Sequence, residues 1–489
     1  MIPSNERRRV RAIALGIACV LGLPLAAQAQ DTAKGTTRIS TREQRLEQRV
    51  DQLQQEVAEL KAMIQQQQAT TTQAAQTAQQ AQATATQAAT TAQATSTRVE
   101  AAAPSGKPVF SSAPGVSVAL HGFIGASAFS QNKSFAYGNG TNAEYPLSGA
   151  KGSLSGVDVR NTRFWLDFSG AKLAGDWIGG GRIEMDFFGG YNGTGAYSQQ
   201  QPTPRLRQAY MDIANPDTGS TVRIGQQWEL LFPLDNVTAS LSHIAFPLGF
   251  GTGMIGWRFP GIVWMQELNH GSTGTRWRLD LGAFEGSWNG PDGAVNNTNY
   301  LTAGNAGFRP QIEARLHAQG KDWLAYAVAH YSRVDLRGVG GTAPTPVKSD
   351  IKSTAYELGG QWKPGPWVFR ANAYTGRGIG QLFGDLSQFG DIKDTGGYLQ
   401  AGYSFTPHWI LNALYATSKP DSDDVIRWMG NGSTGLLRSR QAGLNLEYTA
   451  GAYELGIEWL YGKLDTTSDG TDRKTTSGNQ VSLSGLYHF

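Results

Sequence analysis

Along two stretches of this chain, charged residues occupy every second position. In Arg182–Phe187 they are Arg182, Glu184 and Asp186, with Ile183, Met185 and Phe187 between them. In Arg276–Ala283 they are Arg276, Arg278 and Asp280, with Trp277, Leu279 and Leu281 between. The same parity takes in Arg163 and Asp167, Arg223, Glu313 and Arg315, Arg370 and Asn372, and Glu447, Glu454 and Glu458. A guanidinium is a planar fork that holds a carboxylate or phosphate through two hydrogen bonds, whereas an ammonium is a mobile point charge. The lysines fall elsewhere, in expected turns, loops and strand ends: Lys133, Lys151, Lys172, Lys321, Lys348, Lys363, Lys393 and Lys474. Such an arginine set suits recognition of anionic solutes. Arginines that pair with neighbouring acids merely to brace a wall give the same pattern.

Other chemistry is sparse. The seven histidines (His121, His243, His270, His317, His330, His408, His488) show no metal-ligand spacing. There is no nucleophile elbow and no phosphate-cradling loop. The expectation is a non-enzymatic protein without cofactor or metal. Asp421, Asp423 and Asp424, or Asp465, Asp469 and Asp472, have the types to hold calcium, but solvated acidic loops are the favoured reading.

Period-two alternation is the mark of strands with one apolar and one polar face. It continues to the last residues: Val481, Leu483, Tyr487 and Phe489 on one parity, Ser482, Ser484 and His488 on the other. Sixteen such strands are expected between Val116 and Phe489, near 116–130, 158–169, 175–188, 205–214, 220–228, 258–268, 275–287, 308–319, 322–334, 351–363, 366–376, 394–405, 408–418, 437–449, 452–464 and 479–489. Short turns (Asn215–Gly219, Asn269–Gly274, Gln319–Asp322, Lys363–Pro366, Thr406–His408, Ala450–Gly451) alternate with long connections such as 189–204, 287–307, 335–350, 376–393, 418–436 and 464–478. That asymmetry fits an all-β transmembrane barrel whose two ends face different compartments. A soluble propeller is the competing fold and does not demand it.

If the apolar parity touches lipid, the arginines and acids must face water inside. An outward Arg or Lys near the membrane midplane costs about 2–4 kcal/mol. The third long connection, from Trp228-Glu229-Leu230-Leu231-Phe232-Pro233 to Phe246-Pro247-Leu248-Gly249-Phe250-Gly251, is unusually apolar for a water-facing loop. Folded inward, it would constrict the barrel and bring Glu229, Asp235 and His243 there. Packing against a neighbouring subunit is the alternative.

Residues 1–29 read as a secretory signal: Arg7, Arg8, Arg9 and Arg11, an apolar core from Ala12 to Leu25, then Ala27-Gln28-Ala29. Cys19, the chain's one cysteine, lies in that apolar core, so the remainder has neither disulfides nor thiolate metal sites. The signal's four arginines against Glu6 account for the whole net charge of +3 (42 Lys and Arg, 39 Asp and Glu). The remaining chain is neutral, which argues against nucleic acid as a partner.

After an N-terminal segment, 30–38, an α-helical coiled coil is expected over 39–100. Ile39, Leu46, Leu53 and Leu60 fall at d, and Val50, Val57 and Ile64 at a. Alanines then hold both positions (74, 81, 88; 78, 85, 92), although the Gln/Ala/Thr composition also suits a disordered linker. A proline-containing linker, 101–115, leads into the barrel.

Together these features resemble the DcaP-like trimeric porins. The resemblance rests on the heptads of Leu46–Ile64, the opening Leu120-His121-Gly122-Phe123-Ile124, the Gly225-Gln226-Gln227-Trp228 stretch and the closing Ser484-Gly485-Leu486-Tyr487-His488-Phe489. The final aromatic also resembles the ending of Gram-negative outer-membrane barrels. The resemblance implies a homotrimer in outer-membrane lipid and lipopolysaccharide, a periplasmic coiled coil, and passive uptake of small organic anions such as dicarboxylates. A different role would make the coil a tether to peptidoglycan, with conduction incidental.

Overall fold

The computed structural model describes Lys61 and residues 109–113, 115–136, 145–147, 154–189, 202–232, 240–241, 252–285, 310–335, 348 and 350–489. The expected signal lies outside the described residues, as does the expected coil apart from Lys61, which is helical. The chain divides into two units, Met1–Pro104 and Ser105–Phe489.

The strands of the second unit are β1 (Val109–Ala113), β2 (Val116–Gln131), β3 (Leu154–Asp158), β4 (Arg163–Lys172), β5 (Ile178–Gly189), β6 (Thr203–Asn215), β7 (Ser220–Trp228), β8 (Arg258–Glu267) and β9 (Arg276–Glu285). They continue as β10 (Pro310–Gln319), β11 (Trp323–Asp335), β12 (Asp350–Trp362), β13 (Trp367–Arg377), β14 (Lys393–Ser404), β15 (Trp409–Pro420), β16 (Leu436–Ala450), β17 (Tyr453–Thr466) and β18 (Lys474–His488). Each pairs antiparallel with its sequence neighbour from β4 round to β18. Both β3 and β4 pair with β2, as two halves of one wall strand broken at Val159–Thr162. The result is a closed antiparallel barrel of sixteen strands.

Closure falls where β18 meets β2, from Gln480↔Gln131 to His488↔Phe123. Beyond it, Phe489 and Gly122 exchange both backbone hydrogen bonds at 3.0 Å. Glycine is required at that seam, because a Cβ on Gly122 would lie 2.5 Å from the Phe489 ring and 2.6 Å from the Arg163 carbonyl. β1 lies within the expected linker and folds back on β2, with Val109 opposite Ala119.

Alternation sorts the two faces as lipid would require. Ile183, Leu281, Ile312, Leu358, Leu399, Leu444 and Leu483 are exposed on the outside, while their inward neighbours Glu184, Asp280, Glu313, Glu357, Gln400, Asn445 and Ser482 are buried. Aromatic rings collect at the short-turn rim, where Trp367 meets Phe369 and Tyr403, Trp409 meets Tyr448, and Tyr453 meets Tyr487. Such rings suit an interface that is apolar on one side and wet on the other.

Two positions differ from expectation. β18 begins at Lys474 rather than near 479, so the last long connection shrinks to 467–473. The wall strand expected at 158–169 is bent at Thr162, whose side-chain hydroxyl donates to the Gly125 carbonyl at 3.2 Å.

Candidate functional site

The connection between β7 and β8 folds into the barrel. Trp228, Glu229, Leu230, Leu231 and Phe232 are buried at one end, and Thr252, Met254 and Ile255 at the other. Trp228, Phe232 and Met254 pack against Tyr398, Leu414, Ala416 and Leu460 on β14, β15 and β17. Leu230, Leu231 and Ile255 pack against the β8–β13 side, on Phe259, Val263, Phe284, Leu324, Tyr326 and Tyr374. The loop therefore touches walls on both sides. Thr252 Oγ1 lies 2.8 Å from Ser439 Oγ on β16, Ser240 Oγ donates to Glu458 on β17 at 2.5 Å, and Asn161 Nδ2 donates to the Leu241 carbonyl at 3.3 Å.

A second loop, 378–392, within the long connection expected over 376–393, also folds inward. Ile379, Leu382 and Leu386 are fully buried, and Leu382 accepts a hydrogen bond from the Gly256 backbone at 2.7 Å. Phe383, Asp385, Leu386 and Ser387 all have positive φ, the left-handed region that non-glycine residues occupy at a cost. Such backbone persists where its surroundings enforce it. Here they do: Asp385 accepts from the Ile379 amide, and its own amide donates to Asp394.

Apolar packing thus occupies the β8–β13 side. Polar inward residues dominate elsewhere: Ser439, Gln441, Asn445 and Glu447 on β16, Glu458 on β17, Gln480, Ser482 and Ser484 on β18, and Ser127 and Gln131 on β2. Arg163, Arg182, Arg205, Arg207, Arg223 and Arg258 lie on β4 to β8, and Arg276, Arg278, Arg315 and Arg370 on β9, β10 and β13.

Most predicted arginines are partnered. Arg182 grips Asp167 with two hydrogen bonds (2.7 and 3.0 Å), Arg223 grips Asp212 (both 2.8 Å), and Arg278 grips Asp280 (2.8 and 3.1 Å). Arg315 donates to the same Asp280 at 2.9 Å. Arg370 bonds Gln361 and Gln400, and Arg276, exposed near the short-turn rim, bonds Gln319. Two-point pairing fixes the side chains, so these arginines brace the wall before they meet any solute.

Among the described residues, one cluster carries a surplus of two guanidinium groups over carboxylates. Around Glu184 and Asp186 stand Arg163, Arg205, Arg207 and Arg258, four guanidinium groups to two carboxylates. Arg207 bonds Glu184 at 2.5 Å and Asp186 at 2.9 Å, while Arg205 holds Asp186 at 2.6 and 3.0 Å. Arg163 reaches Glu184 at 3.9 Å. Arg258 has no ion pair among the described residues; its guanidinium lies 4.3 Å from the Trp257 ring centre and 4.8 Å from that of Trp228. A β-bulge makes the cluster possible. Where β5 faces β6 the register shifts between Glu184 and Met185, pairing Glu184 with Gln208 and Met185 with Leu206. Arg207 is the extra residue, so both Arg207 and Gln208 turn inward onto Glu184 while Leu206 faces out.

Sequence reasoning missed Arg205, Arg207 and Arg258. Arg205-Leu206-Arg207 does alternate, but its parity conflicts with inward Gln208, Tyr210 and Asp212 unless a bulge intervenes. Arg258 is the first residue of β8, two before Pro260, where alternation has barely begun.

Of the three expected constriction residues, Asp235 and His243 lie outside the described residues. Glu229 is inside the barrel but faces the wall, 1% exposed, with Oε1 accepting from the Trp257 amide at 2.9 Å. Glu313 accepts from the Leu230 amide at 2.6 Å and lies 2.8 Å from His330 Nδ1.

No protein-family model and no curated protein sequence matches the chain. Among solved structures it is similar to the outer membrane channel DcaP of Acinetobacter baumannii, at 20% identity over 78% of this chain and 99% of that one, with a TM-score of 0.59. It also aligns with an anion-selective porin from Comamonas acidovorans, at 14% identity over 76% of this chain and all of that one, with a TM-score of 0.49. The first comparison establishes a shared fold: the chain has the barrel architecture of an outer-membrane channel.

Proposed function

We propose that the protein is an outer-membrane porin, a water-filled channel for passive uptake of small hydrophilic solutes that prefers organic anions such as dicarboxylates. The observation that carries the anion preference is the excess of guanidinium groups around Glu184 and Asp186 among the described residues. A solute carboxylate entering there exchanges hydration for arginine donors. The acids already present keep the net field modest, so binding stays weak enough for release. Glu447, Glu454 and Glu458 on β16 and β17 supply acidic groups on another part of the inner face, a separation of charge that can orient a solute bearing both signs.

In this reading the short turns face the periplasm, the apolar belt contacts outer-membrane lipid and lipopolysaccharide, and the assembly is a homotrimer with its coil in the periplasm. Reversal potentials of the purified protein in planar bilayers under a salt gradient test it. Anion preference at neutral pH is expected. Cation preference overturns the anion assignment, and lack of conductance overturns the channel itself.

A further inference from the structure

The root of the inward β7–β8 loop rests on a buried group of acids that the channel reading leaves unused. Glu229 lies one residue beyond β7, Glu313 on β10 and His330 on β11; one donor atom from each lies within 4.8 Å of the other two, and all three residues are buried. The His330 side chain is fully shielded. Glu313 Oε1 meets His330 Nδ1 at 2.8 Å, and Oε2 accepts from Leu230 at 2.6 Å. Glu229 Oε1 accepts from Trp257, but Oε2, also buried, receives no hydrogen bond among the described residues.

Two carboxylates held together away from water repel each other and each forfeits hydration, so a positive charge or a proton must compensate. Arg315, on the same strand as Glu313, is turned to Asp280 instead. Two carboxylates and one imidazole form a mixed O,O,N set, which suits a borderline divalent ion such as Zn2+ and gives a net neutral site when His330 is neutral. Calcium prefers oxygen donors throughout. The remaining imidazole nitrogen, Nε2, lies 3.4 Å from the hydroxyls of Ser332 and Ser353, in position to orient the ring.

We propose that Glu229, Glu313 and His330 bind one divalent transition metal of the Zn2+ class, which ties the root of the constricting loop to β10 and β11. The Glu313–His330 contact must open by a few tenths of an ångström for both to ligate one ion. The competing arrangement is a proton shared between the carboxylates with no metal.

Because the site is closed, the full chain is refolded from urea into detergent with and without Zn2+, passed through metal-free buffer, and assayed for bound metal by mass spectrometry. About one zinc per chain is expected to be retained, falling to about a tenth or less in Glu229→Gln and His330→Gln. Retention of no zinc by the wild type overturns the proposal, as does equal retention by the variants. If the variants do not fold, Co2+ in the wild-type protein decides: visible absorption bands of nitrogen–oxygen coordination support the site, and their absence overturns it. The readout does not depend on conduction, so it stands or falls separately from the channel assignment.

Discussion

Arg258 stands between Trp228 and Trp257, its guanidinium 4.8 and 4.3 Å from the two ring centres. One tryptophan ends β7 and the other closes the inward loop just before β8. The cation is thus held by ring faces, which attract it without neutralising its charge. That distinguishes it from Arg182 and Arg223, each held by a carboxylate in two hydrogen bonds.

Arg258→Gln should therefore weaken anion preference more than Arg182→Gln. A unit charge about 7 Å from a passing ion in a water-like medium contributes about 0.6 kcal/mol, or roughly threefold in relative permeability. Reversal potentials of the two variants provide the comparison. An equal response from both would show that the arginine between the two tryptophans carries no special share.

The inward loop is seated by close backbone approach at Gly253. Its φ is +82°, and a Cβ there would lie 2.5 Å from the Gly397 carbonyl on β14. Gly253→Val should lift the loop from that wall, at a cost of about 1–3 kcal/mol, and widen the passage. Single-channel conductance should rise and become noisier. Gly271→Val is the control: its φ is +76° but nothing lies within 4 Å of the added carbon, so backbone strain acts far from the loop. Conductance unchanged in Gly253→Val would refute this seating.

Much of the barrel was legible because lipid and water impose opposite demands on successive residues. The register through Arg182, Glu184 and Asp186 follows directly from parity. The arginine cluster did not, because the bulge at Arg207 and Gln208 shifts parity within one strand, and single-sequence alternation has no mark for an extra residue. The inward fold of 378–392 was also missed. Ile379, Leu382, Phe383 and Leu386 offered an apolar signal, but glycine and aspartate between them read as a surface loop. Glu229 shows the converse limit: its loop could be placed from composition, while the direction of its side chain depended on Glu313 and Trp257, far away in sequence.

Asp280 should be a stability residue rather than a solute residue. It is completely buried and joins Arg278 and Arg315, on adjacent strands. Asp280→Ala leaves two guanidinium groups facing each other without their shared acid. Breaking a buried pair in this way costs about 3–5 kcal/mol. The folded band on semi-native gels should convert to the unfolded form at lower temperature than in the wild type, with ion selectivity of the surviving channels little changed.

Asp385 makes the second inward loop sensitive to pH. Burial, reinforced by the nearby Asp394 carboxylate, pushes the Asp385 carboxyl well above the usual aspartate range. The backbone bond from Ile379 offsets this in part. The folded loop therefore holds a proton that the unfolded chain releases at lower pH. Its stabilisation is fully present below the unfolded value, near 3.9, and is lost as pH rises through the higher folded value. Amide hydrogen exchange at Ile379–Ser387, corrected for intrinsic rates, should accelerate as pH rises through that window. Asp385→Asn keeps the shape without the ionisation, so its corrected exchange should be flat over the same range. A wild-type profile as flat as that of Asp385→Asn would mean that the carboxyl is charged throughout and that the four left-handed residues alone set the loop's stability.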